Sequence, residues 1–429
     1  MPEHEDEHYL RAVTELGDTR KIVAGCDIHS QSGIKLVASG VCIKSGLYER
    51  LVKHKLLPSL DKALSIENML DPGGILDDVR ELLESNGKLR AISDLIDRNF
   101  FERLILDAQI PAPLAFKLTV AREKYPEIYQ HSLLLMVTGI YLAGCDGMSA
   151  REQMHVLMAA LFHDIGLLHI DPRLLAPAHV MNDAERRHLY THPLTGYLLL
   201  CEFPEIAGDI ANAVLEHHER MDGGGYPRGL SGDRISRAGQ ILAIAELVAK
   251  AFDSDQPQVP WKKLEVMLKL NSKQYGQGLI GHLTVFREDN ADGTAAGNGD
   301  PAHLIALVTL IAELFDNFSQ HAPPARRDKI FDLAATRLAA LRLELLEAGF
   351  DPYNPAEMTQ RFMDEPECRS DYVPLLNEAL WQFKSLVVEI SRLWPKELEE
   401  LESQAGTSER TWLNNMKRSL LSADMKQSG

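Results

Sequence analysis

The chain has 429 residues, of which 45% are hydrophobic and 25% are charged, as in ordinary soluble globular proteins. This length allows two or three domains with sizeable cores. The formal net charge of -17 disfavours nonspecific binding to nucleic acid, although bound cations can reverse the charge locally around a small phosphate ligand.

The five cysteines are odd in number, widely spaced and never arranged as C-x-x-C, which argues against a disulfide framework and favours a reducing cytosol. The first residues, MPEHEDEHYL, are acidic where a signal peptide would be basic and then apolar. The longest apolar stretch, residues 304–314, is shorter than the about 20 residues that a membrane-spanning helix needs. The sequence therefore predicts a cytoplasmic protein without membrane contact.

The N-terminal residues predict a small α/β region over 1–108. Residues 1–20 are expected to form a solvated arm. Two runs rich in Val and Ile, 21–30 and 34–39, predict a β-hairpin whose turn contains Gly33. The pattern then becomes helical, with breaks at proline and glycine residues.

The next predicted helix runs from Pro126 to Gly144. Pro126 is a favoured first position of a helix, and glycine is a favoured residue at its end. Glu127 and His131 are four residues apart, so they share one face of the first turn. Considered alone, this pair is more simply interpreted as a surface contact.

Ser149 and Glu152 form a capping box ahead of a helix predicted over 150–165. The interior of this helix is apolar nearly all round, which predicts that it is buried. His163 and Asp164 end the apolar run. Because a buried aspartate is costly unless it is paired or binds a metal, a metal-ligand pair is favoured over an Asp-His hydrogen bond that only caps the helix.

Three more ligand-type residues follow at the ends of predicted helices. A capping box of Asn182 and Glu185 opens a short helix that breaks near His192, where a lone histidine would ordinarily belong to the scaffold. The helix predicted over 204–220 has apolar residues at helical spacing and delivers the adjacent His217 and His218.

A glycine-containing loop is predicted over 221–237, and its backbone can approach a ligand closely. The next predicted helix, 238–252, is apolar except for a few polar residues. Its Glu246 needs a partner for the same reason as Asp164.

The remaining residues are predicted to be helical. Two helical runs extend from Pro260 to about residue 286, and residues 292–300 have the composition of a linker. Further helices are predicted over 302–320, 324–349, 370–395 and 407–422. Their Leu and Ile stripes indicate a core, and they carry no ligand cluster. The sequence contains no internal repeat, no Walker-type phosphate loop and no serine-nucleophile elbow.

The candidate metal ligands form one set of eight residues: Glu127, His131, His163, Asp164, His192, His217, His218 and Glu246. Imidazole and carboxylate together suit Fe, Mn or Zn. The set exceeds what one ion needs, so we infer two or three ions with a carboxylate such as Asp164 between them. Paired ions can hold a hydroxide and clamp a phosphate ester, which predicts hydrolysis by in-line attack at phosphorus.

The run from His217 to Pro227, with His163-Asp164 and His131-Ser132, resembles the motif of the HD-GYP family, a branch of the HD metal-dependent phosphohydrolase superfamily. The resemblance covers about residues 110–290. It implies an all-helical bundle that holds two or three divalent ions, Fe or Mn.

The expected fold is therefore mainly α. An HD-type helical bundle is expected over 109–290, after the small N-terminal α/β region of a hairpin and helices over 1–108. A C-terminal helical region is expected over 301–429.

The resemblance also implies an activity, the hydrolysis of cyclic di-GMP to linear pGpG, to GMP or to both by a metal-bridged hydroxide. His163 and Asp164 are then the catalytic residues. Glu127 matches the extra glutamate of three-metal members, and Glu246 occupies the position of the final aspartate ligand. The loop residues expected to contact substrate are Arg220, Gly225 and Tyr226. Protein partners at the Gly-Tyr-Pro loop and a homodimer are further expectations.

Three departures from the family pattern keep alternatives open. Leu167 stands where the family has a lysine placed to meet phosphate, and Glu246 has one methylene more than aspartate. The stretch 253–260 is acidic where the family is basic. The alternatives are a weakened HD-GYP-like protein that binds and signals without turnover, or an HD hydrolase for another phosphate ester.

Overall fold

The computed structural model describes residues 7–176, 179, 181–252, 268, 271–283, 300–321, 329–365, 369–395 and 408–427. They group into two compact units. The first unit contains the described residues up to 252 together with 274–282, and the second contains the other described residues. The division into three domains stays a prediction.

The first unit begins with helix α1, Glu7–Thr19, so the prediction of a solvated arm is wrong. Tyr9, Val13 and Leu16 recur at helical spacing and are buried. The acidic residues around them dominate the composition of this segment and conceal the apolar stripe.

Five short strands follow: β1 Ile22–Ala24, β2 Ile28–Ser30, β3 Lys35–Val37, β4 Leu56–Leu57 and β5 Leu64–Ile66. Strands β2 and β3 form the predicted hairpin. The run 21–30 is nevertheless divided between two antiparallel sheets, because β1 pairs with β5 while β2 lies between β3 and β4. The small N-terminal sheet is confirmed. Its later strands escaped prediction because they are too short to show a period.

Short helices complete the N-terminal part: α2 Tyr48–Leu51, α3 Leu60–Ala63, α4 Pro72–Ser85, α5 Gly87–Ser93 and α6 Arg98–Leu106. The start of α4 follows from its sequence. Pro72 lies in the first turn, and the Asp71 carboxylate accepts a hydrogen bond from the Gly74 N–H at 2.8 Å. Asn86 caps α5 in the same way, so the predicted breaks are real element boundaries.

The helical bundle occupies the rest of the first unit: α7 Ala112–Lys124, α8 Pro126–Cys145, α9 Ala150–Phe162, α10 Asp183–Leu189, α11 His192–Leu200, α12 Asp209–Glu216, α13 Arg237–Phe252, α14 Ser272–Tyr275 and α15 Gln277–Gly281. Helices α8, α9, α12 and α13 pack against one another, and α8 is buried along most of its length. The mainly α fold is confirmed, and both predicted capping boxes are formed.

Two helix ends differ from prediction in a way that matters for the ligands. Helix α9 ends at Phe162, and a 3-10 turn over Ile165–His169 follows Asp164. Helix α12 begins only at Asp209, because Gly208 before it has a φ of 96°, which ends any helix arriving from residue 204. Both ligand pairs therefore lie at helix termini.

The second unit is helical: α16 Pro301–His321, α17 Lys329–Glu347, α18 Pro355–Asp364, α19 Arg369–Leu393 and α20 Ser408–Gln427. Their buried stripes form one apolar core around Phe315, Phe383 and Trp412. Only α18 was not predicted. The predicted linker at 292–300 and the acidic stretch at 253–260 lie almost wholly outside the described residues.

Among the described helices, α8 and α16 are long and apolar enough to cross a membrane by length and composition alone. Core helices of soluble proteins meet the same criterion. Most of α8 is inside the bundle, and α16 packs one apolar face into the second core. A cytoplasmic location stays a prediction.

Candidate metal centre

Helix ends deliver the ligands around Asp164, whereas His131 and Glu246 lie inside α8 and α13. His163 is the C-cap residue of α9, and Asp164 follows it directly. His192 is the first residue of α11, and His217 is the C-cap residue of α12. A side chain at a helix terminus has no further helical turn beside it on one side. Several helices can therefore bring such side chains to one point.

Asp164 is the centre of this arrangement. Its Oδ1 lies 3.2 Å from His192 Nε2 and 3.7 Å from His217 Nε2, while its Oδ2 lies 3.1 Å from His163 Nε2. All four side chains are buried. One ligand atom from each of Asp164, His192, His217 and His218 lies within 4.8 Å of all the others.

A second group shares the same carboxylate. Ligand atoms of His131, His163 and Asp164 also lie within 4.8 Å of one another. Glu246 extends this group, because its Oε2 lies 2.7 Å from His131 Nε2 and 3.9 Å from His163 Nε2. Asp164 therefore belongs to both groups, as a bridging ligand would.

The backbone sets the tautomer of three rings. The Nδ1–H groups donate to the carbonyl oxygen three residues earlier: His163 to Ala160 at 2.8 Å, His192 to Leu189 at 2.7 Å and His217 to Val214 at 2.6 Å. A carbonyl oxygen only accepts, so each Nδ1 carries the proton. In a neutral ring, Nε2 then keeps its lone pair and points at Asp164.

This arrangement fits a metal. His192 Nε2 and His217 Nε2 are 3.3 Å apart, and His163 Nε2 is buried without a hydrogen-bond partner. Lone pairs that face one another and a carboxylate repel unless a cation lies among them. Neutral imidazoles with carboxylates are the ligands that Fe, Mn and Zn accept in proteins.

The electrostatics favour an ionised Asp164 and a neutral His217. Burial raises the pKa of Asp164, but His163 and His192 beside it outweigh this effect and hold the pKa well below its usual value. Burial, together with His163 and His192, lowers the pKa of His217 to about 3. The carboxylate is thus ionised and this imidazole is neutral at physiological pH.

Aromatic stacking holds His218. Its ring stacks on Tyr226 with centroids 4.7 Å apart, and Tyr226 in turn stacks on Tyr190 at 4.3 Å. Tyr226 is half-buried, and burial together with Tyr190 and Asp164 raises its pKa well above the usual value. Tyr226 therefore orients a candidate ligand, whereas its contact with substrate stays a prediction.

Glu127 and Arg220, both predicted site residues, lie outside the two ligand groups. Glu127 is exposed, one turn of α8 before His131. Arg220 is half-buried, and its charge acts to lower the pKa of Tyr226. A third ion at Glu127 and a substrate contact from Arg220 stay predictions.

Two buried carboxylates hold the loop after His218, and the sequence argument overlooked both. Glu219 accepts hydrogen bonds from the backbone N–H groups of Arg228 at 2.7 Å and Leu230 at 2.9 Å. Glu216 pairs with the Arg228 side chain and accepts from the Ser236 N–H at 2.7 Å. The reasoning applied to Asp164 would have identified them, since both are acidic residues flanking an apolar helix end.

Two glycines permit the close contacts of the site. A Cβ at Gly225 would lie 2.3 Å from Glu219 Cα, so only glycine lets the loop fold against residues 219 and 220. A Cβ at Gly166 would lie 2.1 Å from the His192 carbonyl oxygen. The 3-10 turn after Asp164 therefore packs directly on the start of α11. Gly225 acts here through the backbone, and a contact with substrate stays a prediction.

Known proteins resemble this part of the chain. The model of the HD domain matches residues 119–269. The 3'3'-cGAMP-specific phosphodiesterase 1 of Vibrio cholerae is 32% identical over 157 residues, 34% of each chain. A cyclic di-GMP phosphodiesterase of Pseudomonas aeruginosa is 29% identical over 33% of this chain and 34% of its own.

The cyclic di-GMP phosphodiesterase response regulator RpfG of Xanthomonas campestris is 37% identical over 28% of this chain and 31% of its own. The chain thus spans about a third of the length of the curated relatives that it matches. The residues that the HD domain model matches, 119–269, contain His131 and the other ligands of both groups.

Replacing Gly166 by alanine should weaken metal binding about tenfold or more, because α11 must move and carry His192 with it. Titration calorimetry of the metal-free protein with Mn²⁺ measures the change. Gly144→Ala is the matched control, since a Cβ there meets nothing within 4 Å. Equal affinities for the two variants would contradict the role of Gly166.

Glu219→Gln should destabilise the loop by about 1–3 kcal/mol, because the amide NH₂ faces one of the two backbone N–H donors. Hydrogen exchange at Arg228 and Leu230 should accelerate. Exposed Glu205 provides the control, as Glu205→Gln should change neither rate. Unchanged protection of both amides in Glu219→Gln would refute the proposed hydrogen bonds.

Proposed function

Because this chain belongs to the HD-GYP family through its helical bundle, we propose that it is a metal-dependent phosphodiesterase of cyclic dinucleotides. The observation that carries the proposal is Asp164, which two groups of histidine ligands share. The two groups would hold two divalent ions, and Asp164 would be a ligand common to both groups. Imidazoles with carboxylates suit Fe, Mn or Zn, and the resemblance to the HD-GYP family favours Fe or Mn among them.

The ligand set defines the charge that a substrate meets. Asp164 and Glu246 would contribute two negative charges if both are ionised, and a metal-bound hydroxide would contribute one more. Two divalent ions would contribute four positive charges, which would leave a net charge of about +1. A phosphodiester carries one negative charge and is attracted. When bound, divalent ions would supply a hydroxide at neutral pH and would neutralise charge that develops on the phosphate.

The protein's own residues contribute orientation. The backbone carbonyls hold three imidazoles with Nε2 toward the centre, so no ring has to turn when substrate arrives. Glu216 and Glu219 fix the loop that carries Tyr226. Hydrolysis adds water across one P–O bond: the hydroxide oxygen attaches to phosphorus, and the leaving 3' oxygen takes up the proton.

Cyclic di-GMP is the proposed substrate, with linear pGpG, GMP or both as products. The relatives carry names of cyclic di-GMP and of 3'3'-cGAMP phosphodiesterases, and all three act on a phosphodiester between nucleosides. Both cyclic dinucleotides therefore belong in the assay.

Leu167 limits how phosphate is held. It is buried and packs with Ile170 and Leu174, with half-buried Ile128 and Leu189 beside them. An apolar side chain in this cluster supplies no hydrogen bond to phosphate. Capture of substrate then depends on the metal ions and on the loop residues.

The central test is Asp164→Asn, which keeps the size of the side chain and removes its charge. Wild-type protein loaded anaerobically with Fe²⁺ or Mn²⁺ should hydrolyse the cyclic dinucleotide, as chromatography of the products shows. The variant should lose metal by elemental analysis and lose turnover. Asp233→Asn, at an exposed position of the 3-10 helix Gly232–Arg234, should retain both. Full metal content in Asp164→Asn would rule out this centre.

Leu167→Lys should lower KM for cyclic dinucleotide about tenfold if its amine reaches phosphate, the effect of one charge-assisted hydrogen bond worth about 1.4 kcal/mol. Its melting temperature should fall, because a cation replaces a packed apolar side chain. Leu167→Met, which keeps the apolar volume, should leave KM unchanged. An unaltered KM in folded Leu167→Lys would show that phosphate does not approach this position.

A further inference from the structure

A buried lysine lies in the N-terminal half of the first unit. Lys117 of α7 is only 3% exposed, and its Nζ lies 2.9 Å from the Oδ2 of Asp61 in α3. It also lies 3.7 Å from the ring centroid of Tyr9 in α1, whose hydroxyl donates to Asp61 Oδ1. A buried ammonium needs such partners, because desolvation of a lone charge is costly.

The third partner of Lys117 connects this cluster to the candidate metal centre. Lys117 Nζ lies 3.2 Å from His169 Nε2, and the Tyr9 and His169 rings lie 4.9 Å apart. Lysine only donates, so His169 accepts through Nε2 and carries its proton on Nδ1. His169 is the last residue of the 3-10 turn that begins directly after Asp164.

This turn is held at both of its ends. At its start, the Leu167 N–H donates to the Asp164 carbonyl oxygen at 2.9 Å, and Gly166 packs on the His192 carbonyl oxygen. At its end, His169 meets Lys117. A 3-10 turn of five residues has little conformational freedom. A shift at His169 would therefore move the backbone of the turn, which is joined to Asp164 and contacts His192.

We propose that Lys117 is a positioning residue for the metal centre. It fixes the turn 165–169 through His169 and thereby sets the place of Asp164 relative to His192 and His217. Tyr9 and Asp61 hold the ammonium, so helices α1 and α3 of the N-terminal region contribute to metal affinity. The inference rests on the proposed metal centre, and it assigns a role to residues that contact neither metal nor substrate.

Lys117→Met tests the proposal, because it removes the ammonium and keeps an unbranched side chain. The dissociation constant for Mn²⁺, measured by titration calorimetry on metal-free full-length protein, should rise about tenfold, the lower end of the effect of outer-shell changes. Lys117→Met combined with Asp61→Asn removes both charges. The double variant should recover the unfolding temperature of the metal-free protein but not the metal affinity.

Two variants of His169 test the link independently and decide the question if Lys117→Met does not fold. His169→Gln keeps an acceptor for the ammonium and should retain affinity within about twofold, whereas His169→Leu should weaken binding about tenfold. Lys124→Met is the matched control. Lys124 forms another ion pair between α7 and α1, with Glu15 at 2.9 Å, but this pair is exposed.

A purely structural role would lower the unfolding temperature and leave the dissociation constant unchanged. If folded Lys117→Met and His169→Leu bind Mn²⁺ as tightly as wild type, the positioning role is overturned while the metal centre stands. If wild type itself takes up no metal, the metal centre and this inference both fail. Loss of affinity in Lys124→Met would also overturn it, by showing that any α7–α1 pair has the effect.

Discussion

The central constraint on the bundle is that several imidazole nitrogens lie close to one buried carboxylate. Asp164 lies within 3.7 Å of three imidazole nitrogens, and all of these groups are buried. Without positive charge among them this arrangement is costly, since buried polar groups need partners. A divalent ion at the proposed centre would remove this cost, and the packing of α8, α9, α12 and α13 brings the groups together that could hold it.

Helix termini solve the geometric part of the problem. The last carbonyl groups of a helix lack intrahelical partners. His163 and His217, the C-cap residues of α9 and α12, use their Nδ1–H to satisfy such carbonyls, and His192 does the same with the carbonyl of Leu189. One hydrogen bond thus completes a backbone end and orients a ligand.

The sequence predicted those features of the site that local residue types indicate. The adjacent His217 and His218, the acidic end of an apolar helix at Asp164 and the capping boxes all indicate their role through local chemistry. Features created by tertiary contact were out of reach. The 3.2 Å contact of Lys117 with His169 joins residues 52 positions apart, and nothing local to either indicates it. Helix α1 was missed for a different reason, because charge composition was given more weight than the spacing of Tyr9, Val13 and Leu16.

The use of main-chain carbonyls to orient the rings bears on how such a site persists in evolution. Every amino acid has the same backbone carbonyl oxygen. Replacements at positions 160, 189 and 214 therefore keep the hydrogen bonds that orient the rings, as long as the backbone of the helix ends does not move. Drift in the surrounding sequence is then tolerated without loss of ligand geometry. The ligands themselves and the glycines where no Cβ fits have no such freedom, because a replacement there removes a ligand atom or displaces the backbone.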